Sequence, residues 1–361
     1  MRALGSILLL VVLLLPRLAA AQTAAPLGIV YSGQEAFFDL VYRNEGPAPV
    51  ELKRVAPGCD CITVLSHPET VAPGASARIA CVYRSTVPGN IRTVVDVFGA
   101  DPAQPAFSFG VTGFVAEKAW LASAQEAMAG DPQQLLVDVR SAGEFAEAHV
   151  PRALNVPAFA LKAQAALRGR KLVLLDDGLV PETLLAEVVA LQARGFKDVR
   201  VLVGGLTAWK RAGGALEGPG SAALSGWIPA EKFGASRVAN PWLCVEVGGP
   251  AVASDSLPRL QVGTVPELEQ RLAQESWPVS GGADFRPVLV ILADPALAGR
   301  IEQGPGRASG RQIYFLTGGS PALVAYEASQ AALSRHTGQT FVTQSVATRP
   351  VVSGRCGSCG R

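Results

Sequence analysis

The distribution of hydrophobic residues changes near residue 117, and this change requires more than one type of fold. Before it, short β-rich runs are separated by Pro-Gly and Asp-Pro turns; these runs cover residues 36–46, 49–55, 77–84, 93–98 and 107–114. After it, apolar strand-like runs alternate with helical patterns. The first pattern predicts an antiparallel β-sandwich over residues 22–116, and the second predicts α/β folds with parallel sheets. A chain of 361 residues has room for two or three such domains.

The first 21 residues have the pattern of a secretory signal peptide. Arg2 precedes an apolar run at 7–15, and the small residues 19–21 stand before Gln22, as at a cleavage site. The apolar run is shorter than the roughly 20 residues that span a bilayer; an uncleaved anchor is the alternative. We therefore expect a periplasmic protein, exported through a cleaved signal at 1–21 and not inserted in the membrane afterwards.

The balance of charges excludes one broad class of partner. The chain has 32 Lys and Arg residues, of which Arg2 and Arg17 fall within the predicted signal, leaving 30 against 30 Asp and Glu residues. Nucleic-acid-binding domains normally carry an excess of basic residues. The sequence therefore predicts no nucleic-acid partner, and the expected compartment predicts a periplasmic protein as the partner.

Three motifs follow one another within the predicted β domain. They are Asn44-Glu45-Gly46, Cys59-Asp60-Cys61-Ile62-Thr63 and Val71-Ala72-Pro73-Gly74. In this order the segment resembles bacterial Ig-like domains of unknown function, which combine an Asn-x-Gly turn, a Cys-Gly-Cys-Thr-like element and a Pro-Gly turn. The resemblance implies an Ig-like sandwich and no established reaction. The chain departs from the family pattern at Asp60 and Ile62.

The cysteines of the β domain leave several chemistries open. An oxidising compartment favours disulfides, and Cys81, on a strand with apolar neighbours, is predicted to bridge to Cys59 or Cys61. On a strand Cys59 and Cys61 would share one face, which suits a soft metal such as Cu(I) or a reversible thiol pair. Free thiols are a further alternative. His67 is either an additional ligand or a solvated loop residue.

Two ordered motifs mark the next segment, residues 117–218. Residues 136–145 read Leu-Val-Asp-Val-Arg-Ser-Ala-Gly-Glu-Phe and run on to His-Val-Pro-Arg-Ala-Leu-Asn-Val-Pro at 149–157; residues 199–209 read Val-Arg-Val-Leu-Val-Gly-Gly-Leu-Thr-Ala-Trp. Both motifs resemble the rhodanese homology domain. The resemblance implies a parallel α/β sheet and sulfur transfer through a cysteine at the end of the central strand. In that family loop N–H groups cradle the persulfide, and nearby cations favour the thiolate.

The stretch that corresponds to the catalytic loop, residues 172–182, contains no cysteine. Asp176, Asp177 and Gly178 follow the apolar strand, Glu182 comes next, and the stretch has no Lys or Arg. A thiosulfate or phosphate dianion would therefore meet negative charge. A carboxylate nucleophile at Asp176 or Asp177 would need an acid, a metal or an activating partner that the sequence does not show. We expect a degenerate loop and no catalytic residue.

Polar residues of the first rhodanese-like motif match structural positions of the family. These residues are Asp138, Arg140, Glu144 and His149. The resemblance assigns none of them to the sulfur-transfer chemistry itself. We therefore expect each of them to stabilise the fold.

A weaker copy of the same pattern follows in the chain. Residues 242–247 echo 134–139, residues 256–262 echo 149–156, residues 288–294 echo 171–177, and residues 313–323 echo 199–209. Four anchors in one order predict a degenerate second rhodanese-like domain over 240–335, after a linker at 219–239. Its loop at 293–300 also lacks a cysteine. Cys244 is predicted to be a buried, inert thiol.

The segment 336–361 is predicted to be a flexible tail that carries a Cys-x-x-Cys pair. Cys356 and Cys359 stand close to Arg355 and Arg361, and positive neighbours favour the reactive thiolate. Three interpretations are open: a local disulfide, a mobile dithiol arm that docks with a partner, and, together with Cys59 and Cys61, a four-sulfur Zn or Cu site.

The sequence thus favours an exported, non-catalytic rhodanese-like binding or assembly protein. The first alternative is a periplasmic thiol- or sulfur-handling protein that uses Cys356 and Cys359. The second is a metal-binding protein that uses Cys59 and Cys61. No cofactor is expected, and Cu or Zn is the candidate if a metal binds.

Overall fold

The computed structural model describes residues 23–131, 133–221, 226–249, 259–274, 279–280, 287–303 and 311–337. In these ranges the chain forms a strand-rich N-terminal unit and two parallel α/β sheets. The helices within them include none that is long and apolar enough to cross a membrane. The predicted signal at 1–21 and the tail cysteines Cys356 and Cys359 lie outside the described residues.

The N-terminal unit contributes a four-stranded sheet, three strands of a second sheet and a two-stranded ladder. Its strands are β1 (Thr23–Tyr31), β2 (Glu35–Arg43), β3 (Val50–Glu51), β4 (Arg54–Pro57), β5 (Ile62–Ser66), β6 (Thr70–Val71), β7 (Ser76–Arg84), β8 (Gly89–Phe98) and β9 (Phe107–Ala116). One sheet has the order β1-β9-β8-β4, and β2, β7 and β5 lie in the other. Alternate residues of β2 and β7 are buried, and the two sheets share one core.

One strand of this unit departs from the predicted antiparallel arrangement. β1 pairs with β9 in parallel, with a register shift between Pro26 and Ile29. The sequence pattern did not predict β1, because Pro26 and Gly28 interrupt it and both residue types are poor strand formers. The predicted runs at 77–84, 93–98 and 107–114 lie within β7, β8 and β9.

The first and third motifs of the β domain contact each other. Asn44 is buried, and its Nδ2 donates to the carbonyl oxygens of Ala48 and Val71, each at 2.9 Å. The backbone N–H of Gly74 donates to the carbonyl oxygen of Asn44 at 2.8 Å. These motif residues therefore tie two turns together, which explains the motif spacing without any reaction.

The first α/β unit is a five-stranded parallel sheet with helices between its strands. Its elements are β10 (Leu121–Ala122), α1 (Ala124–Met128), β11 (Gln134–Asp138), α2 (Ala142–Glu147), β12 (Leu154–Asn155), α3 (Ala158–Leu161), β13 (Lys171–Leu175), α4 (Pro181–Gln192), β14 (Asp198–Leu202) and α5 (Gly205–Arg211). The strand order is β10-β14-β13-β11-β12, so β13 is central. The predicted alternation of strands and helices in this segment is confirmed.

The second α/β unit repeats this order. Its elements are β15 (Trp227–Ile228), α6 (Ala230–Ser236), β16 (Leu243–Val247), β17 (Arg259–Val262), α7 (Val265–Gln274), β18 (Val279–Ser280), β19 (Pro287–Leu292), α8 (Ala298–Gln303), β20 (Gln312–Leu316) and α9 (Gly319–Thr337). The five parallel strands have the order β15-β20-β19-β16-β17. Strand by strand, this is the order of the first sheet.

The pairing register makes the correspondence specific to single residues. Val137 lies opposite Leu174 in the first sheet, as Val245 lies opposite Val290 in the second. By this register Asp138 and Glu246 occupy equivalent positions in the two sheets. The register also changes one of the sequence anchors by a residue. Residue 287 of β19, and not residue 288, lies at the position of residue 171 in β13.

The predicted linker at 219–239 is corrected by the structure. β15 and α6 lie within it, and Ile228 and Phe233 are buried in the core of the second unit. β15 is the edge strand that corresponds to β10. The second unit therefore begins earlier than residue 240.

All three units contact one another. β18, which follows α7 of the second α/β unit, pairs antiparallel with β2, and α4 packs against β1, β8 and β9. The hydroxyl of Thr112 donates to the carbonyl oxygen of Val238 at 2.8 Å. The N-terminal unit is thus joined to both α/β units through backbone and core contacts.

Candidate functional site

The loop after the central strand β13 is where this type of fold would carry its nucleophile. β13 ends at Leu175, Asp176 is the first residue after it, and α4 begins at Pro181. Residues 176–180, here called the central loop, therefore connect the central strand to the N-terminus of α4. An acidic side chain occupies the first position of this loop.

The side chains of the central loop occupy its own backbone amides. The N–H of Gly178 donates to Oδ1 of Asp176 at 2.8 Å, and the N–H of Leu179 donates to Oδ1 of Asp177 at 3.1 Å. In a rhodanese, amides of this loop would cradle the transferred sulfur. Here two of them already bind carboxylates.

The backbone at the start of α5 also packs tightly against the central loop. Gly178 has a φ of +80°, and a Cβ at this position would lie 2.1 Å from the carbonyl carbon of Gly204. The N–H of Leu206 donates to the carbonyl oxygen of Asp176 at 3.0 Å. A side chain at position 178 would therefore displace backbone, and only glycine fits this approach.

The carboxyl groups of this region differ in their electrostatics. Burial, and then the charge of Asp177, raise the pKa of Asp176 to about 7. Asp177 forms an ion pair with Lys232 of α6 at 3.0 Å. Burial raises the pKa of Glu182 to about 8, and neither of its carboxyl oxygens has a hydrogen-bond partner among the described residues. At neutral pH the region is thus less negative than its composition suggests.

The second α/β unit covers the central loop. Leu179 is 4% exposed and lies in one hydrophobic cluster with Phe233, Trp242 and Tyr314. Asn240 is buried, and its Nδ2 donates to the carbonyl oxygen of Leu179 at 2.7 Å. The central loop is therefore a contact surface between the two α/β units.

A second contact runs beside the central loop. Nη2 of Arg211, at the end of α5, donates to the carbonyl oxygen of Ile313 in β20 at 2.6 Å. Burial lowers the pKa of Arg211. The hydrophobic cluster around Leu179 contains the ring pairs Phe233–Trp242 and Trp242–Tyr314, with centroids 5.3 and 5.4 Å apart.

We expect Leu179→Ala to destabilise the protein by about 2–4 kcal/mol, because it removes buried methyl groups and leaves a cavity between the two α/β units. The matched control is Val189→Ala in α4, where the side chain is 39% exposed and the cost should stay below about 1 kcal/mol. Urea unfolding of both variants measures the difference. Equal midpoints would show that Leu179 is not a buried contact.

Asp138, Arg140, Glu144 and His149 make contacts that stabilise the fold. Asp138 is fully buried and forms a two-pronged ion pair with Arg140, at 2.7 and 3.0 Å. Glu144 and Ser141 form a reciprocal cap at the start of α2. The His149 ring stacks on Phe145 at 4.0 Å between centroids. Each of these contacts joins residues within 138–149 and stabilises the local fold.

The corresponding loop of the second unit follows β19. Asp294 uses its Oδ1 to accept the N–H of Ala296 at 2.9 Å, and so caps a short 3-10 turn. Cys244 lies in β16 and is 1% exposed. The sequence 293–300 has no cysteine, so this loop offers no thiol either.

The predicted bridge between Cys81 and Cys59 or Cys61 is wrong in this structure. Cys59 is bonded to Cys61, and Cys81 is a free, buried thiol. The reason is register: the carbonyl oxygen of Cys61 accepts the N–H of Arg84. That position is three residues along β7 from Cys81, about 10 Å at the usual strand rise and too far for a disulfide.

The metal predictions receive no further support from the described residues. No group of three or more His, Cys, Asp and Glu side chains in that part of the chain is placed to share an ion. As a disulfide, Cys59 and Cys61 offer no thiolate to Cu or Zn. Nδ1 of His67 lies 3.1 Å from the carbonyl oxygen of Pro68.

Sequence reasoning missed the residues that form the contact between the first α/β unit, with its central loop, and the second. Leu179, Arg211, Asn240 and Tyr314 come from distant parts of the chain, and no motif links them. The signal that was available is local: Leu179 and Val180 are apolar in a loop where the family supplies polar and basic residues. Apolar residues at such a position indicate a covered surface.

Comparison with known families agrees with two of the three units. Residues 121–212 match the rhodanese-like domain family. Residues 18–115 match a protein family of unknown function, DUF1573. No curated protein matches the chain.

Solved structures that resemble parts of the chain include rhodanese-like proteins. A crystal structure of the Alr3790 protein from Anabaena sp. is 29% identical, with 27% of this chain and 82% of that chain covered and a TM-score of 0.25. The X-ray structure of the rhodanese-like domain of Alr3790 is 31% identical, with 24% and 84% covered and a TM-score of 0.23. Thiosulfate sulfurtransferase from Pseudomonas aeruginosa is 21% identical, with 57% and 42% covered and a TM-score of 0.25.

Proposed function

We propose that this protein, whose residues 121–212 belong to the rhodanese-like domain family, is a non-catalytic binding or assembly protein of the periplasm. In this proposal an Ig-like N-terminal domain precedes two rhodanese-like domains, and neither of the two has the sulfur-transferring cysteine. A periplasmic protein is the partner, without nucleic acid and without stable membrane insertion. A retained fold can serve recognition after its chemistry is lost.

The central loop carries this proposal. Its first residue is Asp176 instead of a thiol, its amides bind carboxylates, and Leu179 is buried against the second α/β unit. Sulfur transfer needs an accessible thiolate with positive charge nearby. The central loop supplies no thiol, the cation beside it, Lys232, is paired with Asp177, and the contacts of the loop join it to the second α/β unit.

The repeated strand order supports the second rhodanese-like domain. Both sheets share one order and one residue register. The turn before α9 also repeats the turn before α5, because Gly318 and Gly319 have φ values of +75° and +60°, against +74° and +52° for Gly204 and Gly205. A shared origin by duplication explains these features together.

A sulfurtransferase assay tests this proposal. We expect the full chain to form no thiocyanate from thiosulfate and cyanide above the uncatalysed rate, and to gain no persulfide mass. Asp176→Cys should stay inactive as well, because Lys232 is already paired with Asp177 and the second α/β unit covers the loop. Turnover by the unmodified chain would overturn the proposal.

Variants of the tail cysteines distinguish the alternative thiol function from the non-catalytic one. If turnover is found and Cys356→Ala/Cys359→Ala abolishes it, the protein is a thiol- or sulfur-handling protein that works through its tail. If the full chain and the double variant are both inert in the assay, and the double variant retains the periplasmic partner that the full chain binds, the non-catalytic function stands.

A further inference from the structure

The disulfide between Cys59 and Cys61 lies in the turn between β4 and β5. β4 is an edge strand of one sheet of the N-terminal unit and β5 is an edge strand of the other, so the bond lies where the chain crosses between sheets. We propose that this disulfide is a thiol–disulfide exchange site, which accepts two electrons from a dithiol. The proposal is independent of the non-catalytic function of the α/β units.

The bonded pair is accessible to another thiol. Cys59 and Cys61 are half-buried and Asp60 between them is exposed, whereas Cys81 and Cys244 are buried. The Cα atoms of the bonded pair are 5.2 Å apart. Among the cysteines that the structure describes, this pair is therefore the one that a partner thiolate can approach.

The turn does not need the disulfide to keep its place. The N–H of Gly58 donates to the carbonyl oxygen of Val94 at 2.8 Å, on the β4 side. On the β5 side, the N–H of Arg84 donates to the carbonyl oxygen of Cys61 at 2.9 Å, and Ile62 is buried in the core. Both ends stay fixed when the bond opens, so reduction leaves the sandwich folded.

The ring closed by this bond is too small to act as a strong staple. Disulfides stabilise mainly by restricting the unfolded chain, and the effect grows with loop length. The loop-entropy relation gives about a 15-fold effect on the folding equilibrium for a three-residue loop, against roughly 150-fold for fifteen residues. A bond of this kind between residues two apart contributes little to stability, and by linkage folding protects it little from reduction.

The pair is isolated from rearrangement. Cys81 lies about three residues along β7 from the position that faces Cys61, which is beyond the reach of a disulfide. Burial, and then the charge of Asp39, raise the pKa of Cys81 to about 11. Cys61 is thus out of reach of Cys81, and a buried thiol with this pKa is a poor nucleophile at neutral pH, so we expect the pair to have two states, bonded and reduced.

The reaction balances with a dithiol as the reductant. A thiolate of the dithiol attacks one sulfur of the pair, the bond between Cys59 and Cys61 breaks, and the released cysteine leaves as a thiolate that takes a proton. The second thiol of the dithiol then attacks the mixed disulfide and releases the other cysteine. The dithiol becomes a disulfide, and two electrons and two protons reach Cys59 and Cys61.

Equilibration of the full chain with mixtures of reduced and oxidised dithiothreitol tests this proposal. Trapping by alkylation and peptide mapping reads each cysteine separately, the tail pair included. We expect Cys59 and Cys61 to be reduced and reoxidised reversibly in the native protein. The dithiothreitol ratio at half-reduction should differ from that in guanidinium by less than about 15-fold, and circular dichroism should stay unchanged.

Single variants with glutathione complete the test. We expect the remaining cysteine of Cys61→Ser or of Cys59→Ser to form a mixed disulfide, Cys81 to form none, and Cys81→Ala to leave the exchange of the pair unchanged. The proposal is overturned if the bond resists reduction until the protein unfolds, if reduction unfolds the sandwich, if oxidised dithiothreitol does not form the bond, or if neither variant reacts.

Discussion

Asp176→Asn is expected to raise the free energy of unfolding by about 2–4 kcal/mol at pH 8 and to change it little at pH 4. The carboxyl group of Asp176 ordinarily titrates near 3.8, and burial with the adjacent charge of Asp177 raises its pKa to about 7 in the folded protein. The residue keeps partial contact with solvent, so we expect less than the roughly 4 kcal/mol that the full difference implies.

The sign follows from proton binding. Between pH 4 and 7 the folded protein holds a proton on Asp176 that the unfolded chain has released. The stability that Asp176 provides is therefore complete below pH 4, falls as the pH rises, and is lost above pH 7. Asparagine does not ionise, and its Oδ1 still accepts the N–H of Gly178, so the variant keeps its stability across this window.

Thermal or urea unfolding from pH 4 to pH 8.5 measures this difference. Asp177→Asn is the control. The Asp177 side chain is 41% exposed and is paired with Lys232, so removing its charge should raise the free energy of unfolding by less over the same pH range. Superimposable pH profiles for the unmodified chain and Asp176→Asn would contradict a buried, partly neutral carboxyl group at this position.

The result bears on function because a raised pKa at Asp176 reduces the negative charge of the central loop at neutral pH. Less negative charge suits a loop that packs against Phe233, Trp242 and Tyr314 of the second α/β unit. The sequence of the loop has no basic residue, which we interpret as loss of sulfur transfer. In the structure the same loop forms part of a domain interface.

Local pattern predicted the elements of the first α/β unit well. Lys171–Leu175 is β13, and the apolar run at 199–203 lies largely within β14, because short continuous apolar runs favour buried strands. The structural roles of Asp138 and Glu144 also followed from the motif. Each of these features depends on residues near one another in the chain.

The features that the sequence did not predict depend on how distant segments meet. The bridge from Cys81 failed because strand register, which pattern does not determine, separates Cys81 from Cys61 by three residues of β7. The linker prediction failed because Gly, Pro and Ser before residue 227 masked the short strand β15. The cover over the central loop arises from tertiary packing alone.

The two sheets stabilise one buried acidic position in different ways. In the first sheet, Asp138 pairs with Arg140. In the second, Glu246 stands at the same register position, Gly248 corresponds to Arg140, and the carboxyl group instead accepts hydrogen bonds from Ser320 and from Nε2 of Gln261. Both sheets thus bury an acid at the same register position and satisfy it with different partners, which indicates that the position serves the fold in both units.

Arg140→Gln is therefore expected to destabilise the protein by about 3–5 kcal/mol, because it leaves the fully buried carboxylate of Asp138 without its cation. Asp138→Asn with Arg140→Gln should cost less than the sum of the two single changes, with a coupling of about 1–3 kcal/mol. Urea unfolding of the four proteins of this cycle gives the coupling directly.

The matched control for this cycle is Arg78→Gln, whose ion pair with Asp39 also spans 3.0 Å but joins side chains that are 77% and 40% exposed. Solvent screens such a pair, so its loss should cost at most about 1 kcal/mol. If Arg140→Gln cost no more than Arg78→Gln, the Asp138 carboxyl would not need its cation. The contacts of Ser320 and Gln261 with Glu246 could then not be interpreted as a replacement for an ion pair. The two sheets would share their register, but not the need to neutralise a buried acid.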